Sequence, residues 1–345
     1  MLYVGPSPRN KYHPSSREDL CTVVCNSDRT LTEISRFEIP FSHVQMVGFC
    51  NGIFCFYTFE GYNHRDHIIY LWNPSIRKFK KLPATCLTDP LFNVPFRIHA
   101  VGLAYHSQNN DFKILRIVSY NKPFCQESYV FNSKSIGQKQ MPPAEAEVYT
   151  FSTDSWREVE VSVGSLSGSI DSLSGAPCLF FNDALHSIAY SGDHHFILSF
   201  DVNDEIFREI MLPQNYLLDG ASPSLAVFKK SLAFMVCYED QDDGTDKCHL
   251  WVMREYGVVE SWTKTCLPVA VLNFYGCTDN GELLIKNFDE GFISYDPESL
   301  IKNDLGIRHP RWLGYTAGLM ESLVLLDQVK MSFKMKISFF YKGFC

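Results

Sequence analysis

Eleven histidines, twelve cysteines and 39 acidic side chains give this chain material for acid–base, thiol and metal chemistry, so spacing decides whether any of it is assembled. The serine-rich stretch GSLSGSIDSLSG (Gly164 to Gly175) does not place a serine at the centre of a Gly-x-Ser-x-Gly elbow and reads as a flexible Gly/Ser loop. His64 and His67 flank Asp66, and His194 adjoins His195, but both pairs fall in expected hairpin loops with no cysteine pair nearby. Cys21 and Cys25 have no matching second pair to complete a zinc site, and His186 reads as a strand residue with a satisfied ring nitrogen. No phosphate-binding or dinucleotide glycine pattern occurs. The expected inventory is therefore no catalytic residue, no metal ligand and no cofactor, in a protein that is not an enzyme.

One cluster stands apart. YEDQDDGTDK (Tyr238 to Lys247) gathers Glu239, Asp240, Asp242, Asp243 and Asp246. Counted from Asp240, a calcium loop needs glycine sixth and glutamate twelfth, whereas Gly244 is fifth and Trp251 twelfth. Two readings remain: a charged hairpin tip that keeps a strand edge soluble, or an electrostatic contact for a basic partner. These five acids are the candidate partner-binding residues.

The bulk composition fits a recognition role. At 345 residues, 46% hydrophobic and 14% aromatic, the chain can fill a large core. A net charge of −8 argues against a nucleic-acid surface. There is no run of eighteen apolar residues, so no membrane helix is expected, and MLYVGPSPRNKYHPSS turns polar too early for a signal peptide. The cysteines then read as reduced core residues of a nuclear or cytoplasmic protein.

The elements that must position any site are repeated. IIYLWNPSIRKFKKLP, VYTFSTDSWREVEV, ILSFDVNDEIFREIMLP, LWVMREYGVVESWTKTCLP and FISYDPESLIKNDLGI each read as an apolar strand, a polar break and a second strand. The break is preceded by Trp72, Phe151, Phe200, Trp251 or Tyr295 and followed by Phe79, Trp156, Phe207, Trp262 or Leu300. Ahead of each unit lies another expected hairpin: MVGFCNGIFCFY, AVGLAYHSQNNDFKILRIV, PCLFFNDALHSIAY, SLAVFKKSLAFMVCY and LNFYGCTDNGELLIK. Two hairpins make a four-stranded blade, and five blades span about 44 to 307, with an insertion at 121–147. DLCTVVCNSDRTLTEISRFEI and RWLGYTAGLMESLVLLD then complete a sixth. The expected fold is all-β: a propeller-like, kelch-type array of about six four-stranded blades over residues 1–327, closed by N- and C-terminal strands. A β-sandwich without a radial repeat is the alternative. Residues 328–345, with Lys330, Lys334, Lys336 and Lys342 and no acid, read as a basic apolar tail, either a disordered extension or an amphipathic surface binder.

These phrases also resemble a family. GFCNGIFCF, LWNPSIRKFKKLP, DFKILRIV, AEVYTFSTDSWREVE, FFNDALHSIAY, ILSFDVNDEIFREIMLP, LWVMREYGVVESWTK, NGELLI and YDPESL follow the order seen in the F-box-associated region of plant F-box proteins. The ending MESLVLLD is similar to the S-locus F-box and S-locus F-box-like branch. The resemblance covers about residues 20 to 327. It implies a β domain that holds a protein substrate for ubiquitylation, with a basic S-ribonuclease as one such target, and a ligase built on the Skp adaptor and a cullin. The helical F-box that docks on the adaptor has no counterpart in residues 1 to 43, so binding to the adaptor is not expected. A truncated or vestigial F-box-like protein that binds targets without joining a ligase is one rival; a propeller hydrolase is the other.

Overall fold

A computed structural model of the chain describes residues 2–6, 17–25, 31–42, 44–60, 66–83, 97–120, 144–163, 170, 172–173, 177–214, 216, 222–239, 246–287, 290–307, 312–314, 324 and 326. Its strands in chain order are β1 (Leu2–Pro6), β2 (Arg17–Cys25), β3 (Leu31–Ser42), β4 (Val44–Cys50), β5 (Ile53–Glu60), β6 (Asp66–Asn73), β7 (Lys78–Lys81), β8 (Arg97–His106) and β9 (Asp111–Tyr120). They continue as β10 (Glu145–Thr150), β11 (Ser155–Val159), β12 (Ser172–Leu173), β13 (Leu179–Phe181), β14 (Ala184–Ser191), β15 (His194–Asp201), β16 (Phe207–Met211), β17 (Ser222–Phe228) and β18 (Ser231–Glu239). The last are β19 (Asp246–Met253), β20 (Trp262–Leu267), β21 (Asn273–Cys277), β22 (Leu283–Asn287), β23 (Gly291–Tyr295), β24 (Lys302–Asp304) and β25 (Trp312–Gly314).

All ten hairpins expected from the sequence form, and their turns show why. Asn51-Gly52, Asn182-Asp183 and Lys229-Lys230 take positive φ at both central positions, the twist that lets a two-residue turn join two strands. The second hairpin of each sheet closes differently and repetitively. Arg77, Asp154, Glu205 and Leu300 all sit at φ between 50° and 63°, the first three four residues after the final strand residue and Leu300 five. Asn73, Asp201 and Asp296 hold three of these turns by accepting backbone N–H bonds on their side-chain oxygens, from Ser75 (3.0 Å), Asn203 (2.9 Å) and Glu298 (2.9 Å) respectively.

Six antiparallel sheets result, in the orders β25-β1-β2-β3, β4-β5-β6-β7, β8-β9-β10-β11, β12-β14-β15-β16 with β13 beside β14, β17-β18-β19-β20 and β21-β22-β23-β24. Apolar clusters join neighbours in turn. Val4, Leu20 and Phe41 pack on Phe54 and Trp72; Leu71 and Ile53 on Ile114 and Tyr149; Leu115 and Val148 on Phe200 and Phe207. Ile197 and Ile210 then pack on Phe234 and Trp262, and Met235 and Leu250 on Ile285 and Tyr295. β21 meets β25, so the sixth sheet returns to the first and the ring is closed. First strands of adjacent sheets crowd together, which requires glycine where they touch. A Cβ on Gly48 would lie 2.8 Å from the Leu103 Cβ, and one on Gly102 2.7 Å from the Cys178 Cβ.

Four blades turn an aromatic cross-strand pair toward their predecessors: Trp72 opposite Phe79, Tyr149 opposite Trp156, Phe200 opposite Phe207 and, with a methionine, Met253 opposite Trp262. Indole tips are wired as well. Trp156 Nε1 donates to Pro83 O and Trp262 Nε1 to Met211 O, both at 3.0 Å, so each tryptophan buries its rings while bonding the end of the preceding blade. Trp72, Trp156, Phe200, Phe207 and Trp262 are buried as expected.

Several expectations need correction. Phe151 lies two residues beyond Tyr149, past the end of β10, and Trp251 two residues before Met253, further inside β19; each keeps the correct face, and both are only half-buried, as is Phe79. Leu300 is no wedge: it occupies the left-handed turn position at 55% exposure, and Lys302 holds the pairing site opposite Tyr295. The opening residues Leu2–Pro6, too short and too soon polar to read as a strand, become one because β2 and β25 flank them. Of RWLGYTAGLMESLVLLD, only Trp312–Gly314 is strand among the described residues; Leu326 instead buries itself beside Val47, Ile53 and Leu103. The Gly/Ser stretch contributes β12, with Ile170 and Leu173 buried. The insertion at 121–143 and the tail at 328–345 lie outside the described residues.

Candidate interaction surface

Antiparallel order gives the ring two unlike rims. One carries the turns between first and second and between third and fourth strands of every sheet; we call it the turn rim. The other carries the connections between second and third strands and the links from sheet to sheet; we call it the loop rim.

On the turn rim, polar side chains lock blade to blade. Lys80 Nζ reaches Asp154 at 2.9 Å, and Lys113 Nζ lies 2.7 Å from both Val202 O and Glu205 Oε1. Burial, reinforced by the charge of Arg157, draws the Lys113 ammonium below its ordinary pKa. A groove of about 390 Å³ between β11 and the 202–206 turn is crossed by the Arg157–Glu205 ion pair, which commits its charges to the contact between blades. Tyr256, on the turn after β19, reaches back to the fourth sheet, with its hydroxyl 2.7 Å from His186 Nε2 and 3.3 Å from Ser199 Oγ. His186 Nδ1 lies 3.2 Å from Leu179 O, so both ring nitrogens are occupied, as the sequence suggested. Burial lowers the His186 pKa to about 4, leaving the ring neutral near pH 7. This His–Tyr–Ser constellation is a clamp between blades, with no spare nitrogen to act as a base. Asn73, wholly buried, donates to Val324 O at 3.2 Å, so Val324 lies over part of this rim. Exposed apolar side chains are also here: Ile206, Tyr256, Leu300 and Ile301. Sequence reasoning missed them because turn residues have no periodicity to betray their direction.

The ends of β1 and β2, of β7 and β8, and of β9 and β10 face the loop rim, and the residues that join them, 7–16, 84–96 and 121–143, lie outside the described residues. The same rim holds the acidic hairpin, which joins the second and third strands of the fifth sheet. Register sets Glu239 directly opposite Asp246, and Asp246 is exposed. Asp240, Asp242 and Asp243 belong to the same connection and lie outside the described residues.

The other sequence candidates do not converge. Asp66 and His67 begin β6, and His64 lies outside the described residues. His194 Nε2 contacts Glu209 Oε1 at 2.6 Å, while His195 stacks edge-on against Tyr190, so the adjacent histidines face different neighbours. Cys21 and Cys25 lie on one extended strand, and four residues of strand separate them by about 13 Å, too far for one metal ion. Among the described residues, no group of three or more histidine, cysteine or acidic side chains could hold a metal, and no helix is long and apolar enough to cross a membrane.

Comparison with known proteins agrees with this architecture. The F-box associated beta propeller domain matches residues 17–303. F-box protein At3g07870 of Arabidopsis thaliana is 25% identical over 305 residues, taking in 76% of this chain and 66% of that protein. F-box/kelch-repeat protein At3g23880 of the same plant is 23% identical over 265 residues, 74% of this chain and 61% of that protein. The chain thus spans about two thirds or less of these relatives' lengths. Among solved structures, TolB from Acinetobacter baumannii covers 87% of this chain and 62% of its own at 10% identity, with a TM-score of 0.47.

Proposed function

Because the chain belongs to the F-box-associated β-propeller family, we propose that it is a protein-recognition domain, not an enzyme, and that it holds a protein substrate for ubiquitylation on its loop rim. The observation that carries this reading is the division of labour between rims. The turn rim is spent on short capped turns, clamps between blades and the segment at Val324 and Leu326, while the loop rim presents the long connections on a rigid ring. Family membership links such a domain to ligases built on the Skp adaptor and a cullin, acting in the nucleus or cytoplasm, whereas residues 1 to 43 supply no adaptor-docking module of their own. The acidic hairpin favours a basic target, a class that includes S-ribonucleases.

The test is to express the full chain in plant cells with the proteasome blocked, cross-link it and map the linked residues of any partner that accumulates. Cross-links on the loop rim, with a longer partner half-life when the chain is removed, are expected. Cross-links confined to the turns at 202–206 and 296–301, or a partner whose half-life is indifferent to the chain, would overturn the reading.

A further inference from the structure

Beneath the acidic hairpin, β18 and β19 place two cysteines face to face. Cys237 and Cys248 are direct register partners, and their Sγ atoms lie 2.7 Å apart. Directly paired residues of antiparallel strands have Cα atoms about 4.5–5.5 Å apart, inside the window of about 4.4–6.8 Å that a disulfide spans. Closing the bond to about 2.05 Å asks each sulfur to move only a few tenths of an ångström. Cys248 is buried, and Cys237 is partly buried. The Cys248 thiol donates to Cys237 Sγ, and this hydrogen bond couples the two, holding Cys248 below the usual thiol range and pushing Cys237 above it. The remaining free cysteines differ: Cys21, Cys50, Cys55 and Cys178 are buried, the partly buried Cys277 pairs across the ladder with Leu283, and the exposed Cys266 pairs with a histidine, His249.

We propose that Cys237 and Cys248 form a redox modification site, closed to a cross-strand disulfide by a peroxide-class oxidant. The thiolate attacks one peroxide oxygen, the O–O bond breaks, and a sulfenic acid forms while the departing oxygen leaves as water. The second thiol then attacks the sulfenic sulfur; the S–S bond forms, the S–O bond breaks, and a second water leaves. Two thiols are oxidised and one hydrogen peroxide is reduced to two waters. A dithiol reductant reverses the bond by exchange.

The location gives the bond a consequence. Glu239 and Asp246 lie two positions further along the same strands, on the same face as the sulfurs. A bond at 237–248 therefore staples the root of the acidic connection and shortens the range of conformations it samples.

The experiment treats the full chain with hydrogen peroxide, alkylates free thiols after unfolding, and maps peptides without reduction. A peptide joining Cys237 to Cys248, loss of both alkylation adducts, and their return with dithiothreitol are expected. Cys237→Ser should abolish the linked peptide, and Cys266→Ser should leave it intact. Slower amide exchange across 239–246 in the oxidised chain should accompany the bond. If both thiols remain alkylatable after peroxide, or Cys237 goes to sulfinic acid with Cys248 unlinked, the proposal is wrong. Should Cys237→Ser melt well below its parent, Cys237→Ala and Cys248→Ala serve for the same mapping, and a linked peptide at either remaining cysteine would also overturn it.

Discussion

At one rim the chain reverses within a few residues, each reversal held by a side-chain oxygen or a left-handed residue, and lysines reach across to the next blade. At the other, connections such as 84–96 and 121–143 run long between the same strands. Both rims hang from one frame, so the difference lies in what each was free to become. A rim committed to joining blades tolerates little change, because Asn73, Asp201 and Asp296 each hold a turn whose backbone no other side chain satisfies as well. A rim of long connections can vary without loosening the ring, and it is the one suited to recognising a partner.

The comparison can be broken first at the frame. Phe200→Ala, between the third and fourth blades, should cost roughly 3 to 5 kcal/mol in denaturant unfolding. A parent-like midpoint would mean that the aromatic pairs do not hold the blades together. Next comes the clamp at His186. Its pKa is about 4 when folded and 6.5 in the reference state, so the folded protein favours the neutral ring. That contribution is complete above pH 6.5 and is lost as pH falls toward 4, amounting to about 3 kcal/mol from a shift of roughly 2.5 units. His186→Gln should flatten the stability profile in this window, and an unchanged slope would remove the histidine from the account.

On the loop rim, effects should appear in association and not in folding. Reversing Glu239, Asp242 and Asp246 to lysine should slow binding of a basic partner by about tenfold at low salt, with the difference shrinking toward 1 M as charges are screened. An on-rate that ignores the reversal would leave the hairpin as a solubility device. The smallest effect belongs to an exposed turn-rim ion pair. Lys229→Ala, which removes the Lys229–Glu298 contact, should change stability by less than about 1 kcal/mol in a thermal melt. A larger loss would show that the rim clamps contribute more than surface charges usually do.

Local chemistry made most of the frame legible. Asn-Gly, Asn-Asp and Asn-Pro turns between apolar runs announce hairpins, and aromatic residues at the strand ends announce the pairs that wedge between blades. What stayed hidden depends on partners distant in sequence. β1 is a strand because β2 and β25 lie on either side of it, and Phe151 stood in for Tyr149 because both are aromatic and on one face. The five acids were visible as composition, yet only register shows Glu239 and Asp246 in opposition. Likewise, nothing in the spacing of Cys237 and Cys248 reveals that they touch; a hairpin whose turn falls elsewhere would separate them. Tyr256 reads as a loop aromatic until the neighbouring blade supplies His186.

The closure of the first sheet has a kinetic side. Five sheets are sewn from residues near one another in the chain, and such hairpins form quickly because little chain must be gathered to make them. The first is sewn from both ends, through Leu2 with Gly314, Tyr3 with Leu313 and Val4 with Trp312. Bringing those residues together costs the most loop-closure entropy of any pairing in the ring, and the seam is only three residues long. It is therefore the last strand pairing of the ring to form during synthesis and the first to open under strain. Until it is made, β21 and the first sheet expose the strand edges that the finished circle conceals.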